Sequence, residues 1–171
     1  MGRAILVGCA VVALVLAVGC RSAPAPAPRV QPPSPAPAPA PARPAAGRIV
    51  ASARSLLGMP YRYAGTDQRG FDCSGLTFYV FATAGVALPR RAADQAEFGR
   101  WVALDEVSAG DLLFFSTAAK PNHVGVVVSA SGESLRMIHA STSRGVIETD
   151  VLREPYWLER LRFGRRVLPG G

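Results

Sequence analysis

From Ile49 onward the apolar positions recur with helical spacing. Ile49, Val50, Ala53, Leu56 and Leu57 fall on one face, and Gly58 follows as a stop. The stretch "CSGLTFYVFATAG" repeats the pattern, with Leu76, Val80 and Ala84 aligned, Asp72 placed as N-cap and Gly85 as the end. "RAADQAEFG" predicts a third, shorter helix ending at Gly99. The pattern then switches. "DLLFFS", "HVGVVVS", "LRMIHAS" and "GVIETDV" are short β-branched or aromatic runs separated by turn residues, and a last apolar stretch runs from Trp157 to Leu168. Helices followed by consecutive strands predict an α+β fold, with N-terminal helices packed on an antiparallel β-sheet.

The first 46 residues follow neither pattern. Ala4 to Val18 are almost entirely aliphatic behind Arg3. The run is shorter than the roughly 20 residues of a membrane-spanning helix and suits the apolar segment of a secretory signal. It ends in "LAVGC", which resembles a bacterial lipoprotein signal. That resemblance implies cleavage before Cys20 and acylation of its thiol and new amine. Leu16 stands one place further from the cysteine than the usual pattern has it, and "LVGC" at Cys9 leaves too short an apolar run. Residues 21–46 are mostly Pro and Ala, with no apolar face to bury. The expected organisation is a signal peptide at 1–19, a lipidated Cys20 with a disordered Pro/Ala-rich linker to residue 46, and a folded domain at 47–171.

The chain carries a net charge of +7, but four arginines precede residue 47, leaving the domain at +3. That is too mild a balance for a nucleic-acid partner, and "RLRFGRR" reads as a strand with a solvated face. Of three cysteines, Cys9 is lost with the signal and Cys20 is blocked by lipid. Cys73 then has no disulfide partner, and a lone thiol in an exported domain is a candidate reactive group.

If Asp72 caps the second helix, Cys73 is its first residue, where unpaired N–H groups favour an anion and lower a thiol pKa. Gly75 leaves the first turn open to a substrate. A thiolate nucleophile needs a proton partner, and the chain has two histidines, His123 and His139. Reading "SASGE" as a three-residue hairpin loop pairs Ser129 with Glu133 and sets His123 directly opposite His139, on one face of the sheet. One imidazole can then act as base while the other orients it. The Cys-His-His spacing of 50 and 16 residues lacks the close ligand pairs of a zinc site, so no metal is expected.

In order along the chain, "YRYAG", "FDCSGL", "LPR…Q", "GDLLFF", "HVGVVV" and "MIHAS" resemble the NlpC-type family of papain-like cell-wall peptidases, over residues 48–168. The resemblance implies a papain-like domain with Cys73 as nucleophile, His123 as general base and His139 as its orienter. It also implies an oxyanion or substrate contact for Tyr63, a substrate contact for Ser74 and a substrate carboxylate for Arg90 or Arg91. The implied substrate is a peptidoglycan stem peptide, cut between D-glutamate and a diamino acid, without a cofactor. Arg21 after Cys20 is not the acidic residue of an inner-membrane retention signal, so the expected setting is a lipid anchor in the outer membrane, facing the periplasm. Two other readings stay open at this point: a papain-like hydrolase or acyltransferase on another amide or ester, and a non-catalytic peptidoglycan-binding module.

Overall fold

A computed structural model describes residues 42–168; the signal segment, Cys20 and most of the Pro/Ala-rich stretch lie outside the described residues. Helix α1 spans Ala42–Ser55 and begins five residues ahead of the start expected at Gly47. The earlier start has a packing reason, because Ala45 is buried with Ile49 and Ala53. Two short strands, β1 (Thr66–Asp67) and β2 (Gly70–Phe71), form a small hairpin that the periodicity did not reveal. Helix α2 (Cys73–Ala82) follows near its predicted bounds, whereas α3 (Ala92–Gln95) is shorter than expected and stops four residues before Gly99.

The remaining strands are β3 (Arg100–Val102), β4 (Leu112–Phe115), β5 (His123–Ser131), β6 (Ser134–Ser141), β7 (Gly145–Asp150) and β8 (Leu161–Arg166). They form one antiparallel sheet in the order β3-β8-β4-β5-β6-β7. The fold is therefore α+β, as the sequence predicts. The apolar stretch expected from Trp157 onward is split. Trp157 belongs to a short helix α4 (Pro155–Leu158), opened by Pro155 and preceded by a 3-10 turn at Val151–Arg153.

Both faces of the sheet are covered. Leu112, Phe114, Val124, Val126, Ile138 and Val146 meet Ile49, Leu76, Val80 and Phe81 of α1 and α2. Leu113, Phe115, Val127 and Met137 point the other way, against Val151 and Trp157. Each large apolar side chain fully buried this way stabilises the fold by roughly 1.5–3 kcal/mol before entropy is counted. The basic end of β8 is not simply solvated, since Arg166 makes an ion pair of 2.8 Å with the buried Asp111.

The β5–β6 hairpin departs from its predicted register. Ser131 pairs with Ser134 across the two-residue turn Gly132-Glu133, instead of Ser129 with Glu133. Val128 is then an extra, bulged residue, beyond which Val127 pairs with Met137 and Val126 with Ile138. Continuing that register opposes Gly125, not His123, to His139. A Cβ on Gly125 would stand 3.3 Å from the His139 Cβ and 2.8 Å from the Met137 sulfur, so the absence of a side chain there makes room for both.

Candidate active site

Cys73 opens α2, and the Asp72 carboxylate before it caps the helix by accepting the Gly75 N–H at 2.6 Å. This corner is locked from two sides. Arg90 donates to Asp72 and, at 2.9 Å, to Ser74 Oγ. Gln95, fully buried, donates to the carbonyls of Ser74 and Pro89 and accepts from Thr77. A Cβ on Gly75 would fall 1.9 Å from the Gly65 carbonyl oxygen. The glycine therefore admits the neighbouring backbone, and does not hold space for a substrate.

The thiol arrives from the helix side of the sheet, packed against the first core cluster. The imidazoles come from the opposite face, under Trp157. They meet at the end of the sheet in a cleft of about 540 Å³, which Cys73 and His123 line together with Tyr61, Asn122, Ser141, Arg144, Glu154, Tyr156, Trp157 and Arg160. His123 Nε2 lies 3.1 Å from His139 Nδ1, and His139 Nε2 lies 3.2 Å from Thr149 Oγ1. Trp157 stacks on His123 at 4.8 Å between ring centroids, and Phe115 meets it edge-on. His139 is fully buried.

These surroundings set the resting protonation. Burial first, then the Asp72 charge, pushes the Cys73 thiol up, against the backbone N–H groups of Val124, Ser74 and Cys73, which pull it down. The lowered thiol pKa expected of a helix start is thus outweighed. Burial lowers His123 to about 4. Burial, then the neighbouring His123 and Arg144, lowers His139 to about 3. At neutral pH the cleft holds a neutral thiol and two neutral imidazoles. With Nε2 of His123 committed to His139, its Nδ1 is the nitrogen left to exchange a proton in the cleft.

The structure brings Cys73, His123 and His139 into one site, but it does not bring Tyr63 there. Tyr63 is 87% exposed and is not among the residues lining the cleft. The cause is a tight turn closed by the Gly65 N–H on the Arg62 carbonyl at 2.9 Å, with Ala64 at φ 56°, which throws Tyr63 outward. Tyr61 lines the cleft instead. It bridges to Phe71, and Arg62 N–H donates to the Phe71 carbonyl at 3.0 Å, which holds Tyr61 beside the segment that leads into Cys73. Burial, then the Cys73 charge, raises the Tyr61 phenol, which therefore stays protonated as a donor. Ser74 is also corrected: it is buried in the Asp72–Arg90 network, outside the cleft lining, which suits holding the corner and not touching substrate. Arg90 is spent in that same network, while Arg91 is exposed. Sequence reasoning also missed Thr149, Trp157, Arg144, Glu154 and Arg160. Arg144 and Thr149 lie in the polar run that follows His139, and the other three carried no local signal.

A family model described as the NlpC/P60 family matches residues 58–166. The chain is similar to a "Murein DD-endopeptidase MepS/Murein LD-carboxypeptidase" of Escherichia coli (strain K12), 36% identical over 122 residues, covering 71% of this chain and 62% of that protein. It is also similar to a "Gamma-DL-glutamyl hydrolase" of Bacillus subtilis (strain 168), 38% identical over 124 residues, covering 70% of this chain and 29% of that protein. The chain thus spans under two thirds of the length of either relative. A crystal structure of an NlpC/P60 family protein from Bacillus cereus superposes with a TM-score of 0.66 at 31% identity, over 72% of this chain and 40% of that one.

Proposed function

The chain belongs to the NlpC/P60 family, and from that premise we propose that it is a cysteine endopeptidase that hydrolyses the D-glutamyl–diamino acid amide of peptidoglycan stem peptides. The observation that carries the reading is the cleft itself, which the only thiol of the described residues lines together with an imidazole whose Nε2 is held by a second histidine. The names of the relatives, a murein endopeptidase and a glutamyl hydrolase, support the substrate class. So does the charge of the cleft wall. Arg144, Glu154 and Arg160 all line it, with Arg144 and Glu154 ion-paired at 3.8 Å, and stem peptides carry carboxylates and an ammonium group for such a wall to meet.

In the proposed reaction the Cys73 proton passes to His123 Nδ1 as sulfur attacks the amide carbon. This fits a pair that is neutral at rest. The oxyanion is held by the Cys73 backbone N–H at the start of α2 and by the Tyr61 hydroxyl. The imidazolium protonates the leaving amine, giving a thioester on Cys73. Water, deprotonated by His123, then releases the acid. His139 keeps the His123 ring in place through both halves.

Digesting purified muropeptides with the full chain and identifying the products by mass spectrometry tests the bond. A new free amine on the diamino acid supports it. Loss of a terminal or cross-linking D-alanine overturns the bond assignment, and intact muropeptides overturn the substrate. For the setting, the proposal is a lipid anchor on Cys20 at the outer membrane, facing the periplasm. It rests on the "LAVGC" pattern, and an unacylated mature N-terminus would contradict it.

A further inference from the structure

Two proton arrangements satisfy the chain His123–His139–Thr149, and only one leaves a base. In the first, His123 Nε2–H donates to His139 Nδ1 across 3.1 Å, and His139 Nε2–H donates to Thr149 Oγ1 across 3.2 Å. His123 Nδ1 then carries a lone pair. In the second, every bond is reversed: Thr149 donates to His139 Nε2, His139 Nδ1–H donates to His123 Nε2, and His123 Nδ1 carries a hydrogen and can accept nothing. The base therefore requires that the buried hydroxyl at the far end of this relay, two residues removed from the thiol, accept a proton from His139 and not donate one.

We infer that Thr149 is a positioning residue whose hydroxyl, by accepting the His139 Nε2–H, gives that tautomer a buried partner and so lets His123 Nδ1 serve as the proton-accepting nitrogen of the site. Thr149 is 2% exposed and sits on β7 opposite Met137, so solvent does not compete for the His139 proton. A threonine hydroxyl can accept the Nε2–H, whereas an apolar side chain of similar shape cannot. Removing the acceptor leaves a buried N–H orphaned, an arrangement folded proteins rarely keep. The His139 proton is then better placed on Nδ1, where His123 Nε2 can accept it. That is the second arrangement, and His123 loses its base. Wrong tautomers of this kind are what outer hydrogen-bond partners of catalytic or ligating imidazoles prevent.

The inference rests on the proposed thiol chemistry, but part of its test needs no substrate. Ring-nitrogen NMR shifts of the full chain, labelled with 15N-histidine, should show His139 protonated on Nε2 at neutral pH. An Nδ1–H signal in the unaltered protein overturns the assignment, whatever the variants do. Thr149→Val should move His139 toward the Nδ1–H form. It should lower kcat for muropeptide cleavage by about 10- to 100-fold, the range for losing such an outer partner, with KM changed by less than about twofold because the cleft lining is untouched. Thr149→Ser, which keeps the hydroxyl, should restore both the tautomer and most of the rate. Wild-type rate and tautomer in Thr149→Val overturn the proposal. Equal loss in the Val and Ser variants with an unchanged tautomer overturns it in favour of packing. If the unaltered chain cleaves no muropeptide, the functional reading fails, while the tautomer data still decide what Thr149 does to His139.

Discussion

His139 stands diagonally across the sheet from His123, and their ring nitrogens meet at 3.1 Å because Val128 is one residue too many in β5. At the turn, Ser131 pairs with Ser134. Continued without a break, that register would pair Val126 with His139 and place the two histidines on opposite faces. The bulge at Val128 shifts the pairing by one and returns both imidazoles to the face under Trp157. The missing side chain at Gly125 then leaves room for His139 beside it, since a Cβ there would stand 3.3 Å from the His139 Cβ. The pairing of the two imidazoles is thus a consequence of strand register, set by a defect in the ladder several residues away.

Tyr61 and Tyr63 differ by two residues and should differ completely in effect. Tyr61→Phe removes a hydroxyl from the cleft and should lower kcat by about 100-fold, the usual scale for an oxyanion donor. Tyr63→Phe removes a hydroxyl from an 87% exposed side chain and should leave kcat and KM unchanged. Steady-state cleavage of a stem peptide by both variants checks this; the reverse ranking would restore Tyr63 to the site.

Those two tyrosines show how far the sequence could be read. Helix periodicity and the strand runs carried the α+β fold, and the cap at Asp72 placed Cys73 at a helix start. The parity of the two histidines came out right although the turn was misread, because the expected and actual registers at His139 differ by two residues and a shift of two keeps a side chain on its face. What stayed hidden depends on long-range contacts. Nothing local distinguishes Tyr61 from Tyr63, because the choice is made by the bridge to Phe71 and the turn at Ala64. Gly75 looked like room for substrate, whereas a distant backbone, that of Gly65, fills it.

The thiol should titrate late. Burial and the Asp72 charge hold Cys73 above the ordinary thiol value, so the free protein keeps it protonated through neutral pH. Alkylation by a neutral reagent such as iodoacetamide, followed against pH, should still be rising at about pH 9. A plateau reached below pH 7 would show a resting thiolate–imidazolium pair and contradict the neutral ground state.

Stability should fall on mild acidification. His123 and His139 titrate at about 4 and about 3 in the folded protein, below the ordinary histidine value of 6.5. The unfolded chain therefore binds more protons between those values and 6.5, and unfolding is favoured as pH drops through that window. The contribution is full above about pH 6.5, declines toward pH 4 to 3, and changes no further below it. It is on the order of a few kcal/mol for the pair. Denaturant melts from pH 7.5 to 4 check it: His139→Asn should flatten the slope, and an equal slope in both proteins would show that the histidines are not its source.

Arg90 and Ser74 should act on the nucleophile's corner without binding substrate. Arg90→Ala leaves the Asp72 charge unpaired beside Cys73, at a cost of about 1–3 kcal/mol in stability, and should lower kcat with little change in KM. Ser74→Ala breaks one bond of the same network and should follow the same pattern more weakly. A rise in KM without loss of stability in either variant would mark a substrate contact instead.

The most direct test of the proposed chemistry is the rate of stem-peptide cleavage by the full chain and by its Cys73→Ala variant, measured on one muropeptide with products identified by mass. Cys73 is half-buried at a helix start, where Ala is well tolerated, so the variant should fold with an unchanged melt. The account predicts that the unaltered chain frees the amine of the diamino acid and that Cys73→Ala yields no product. Cleavage of the same bond by the Cys73→Ala variant at a comparable rate would contradict it.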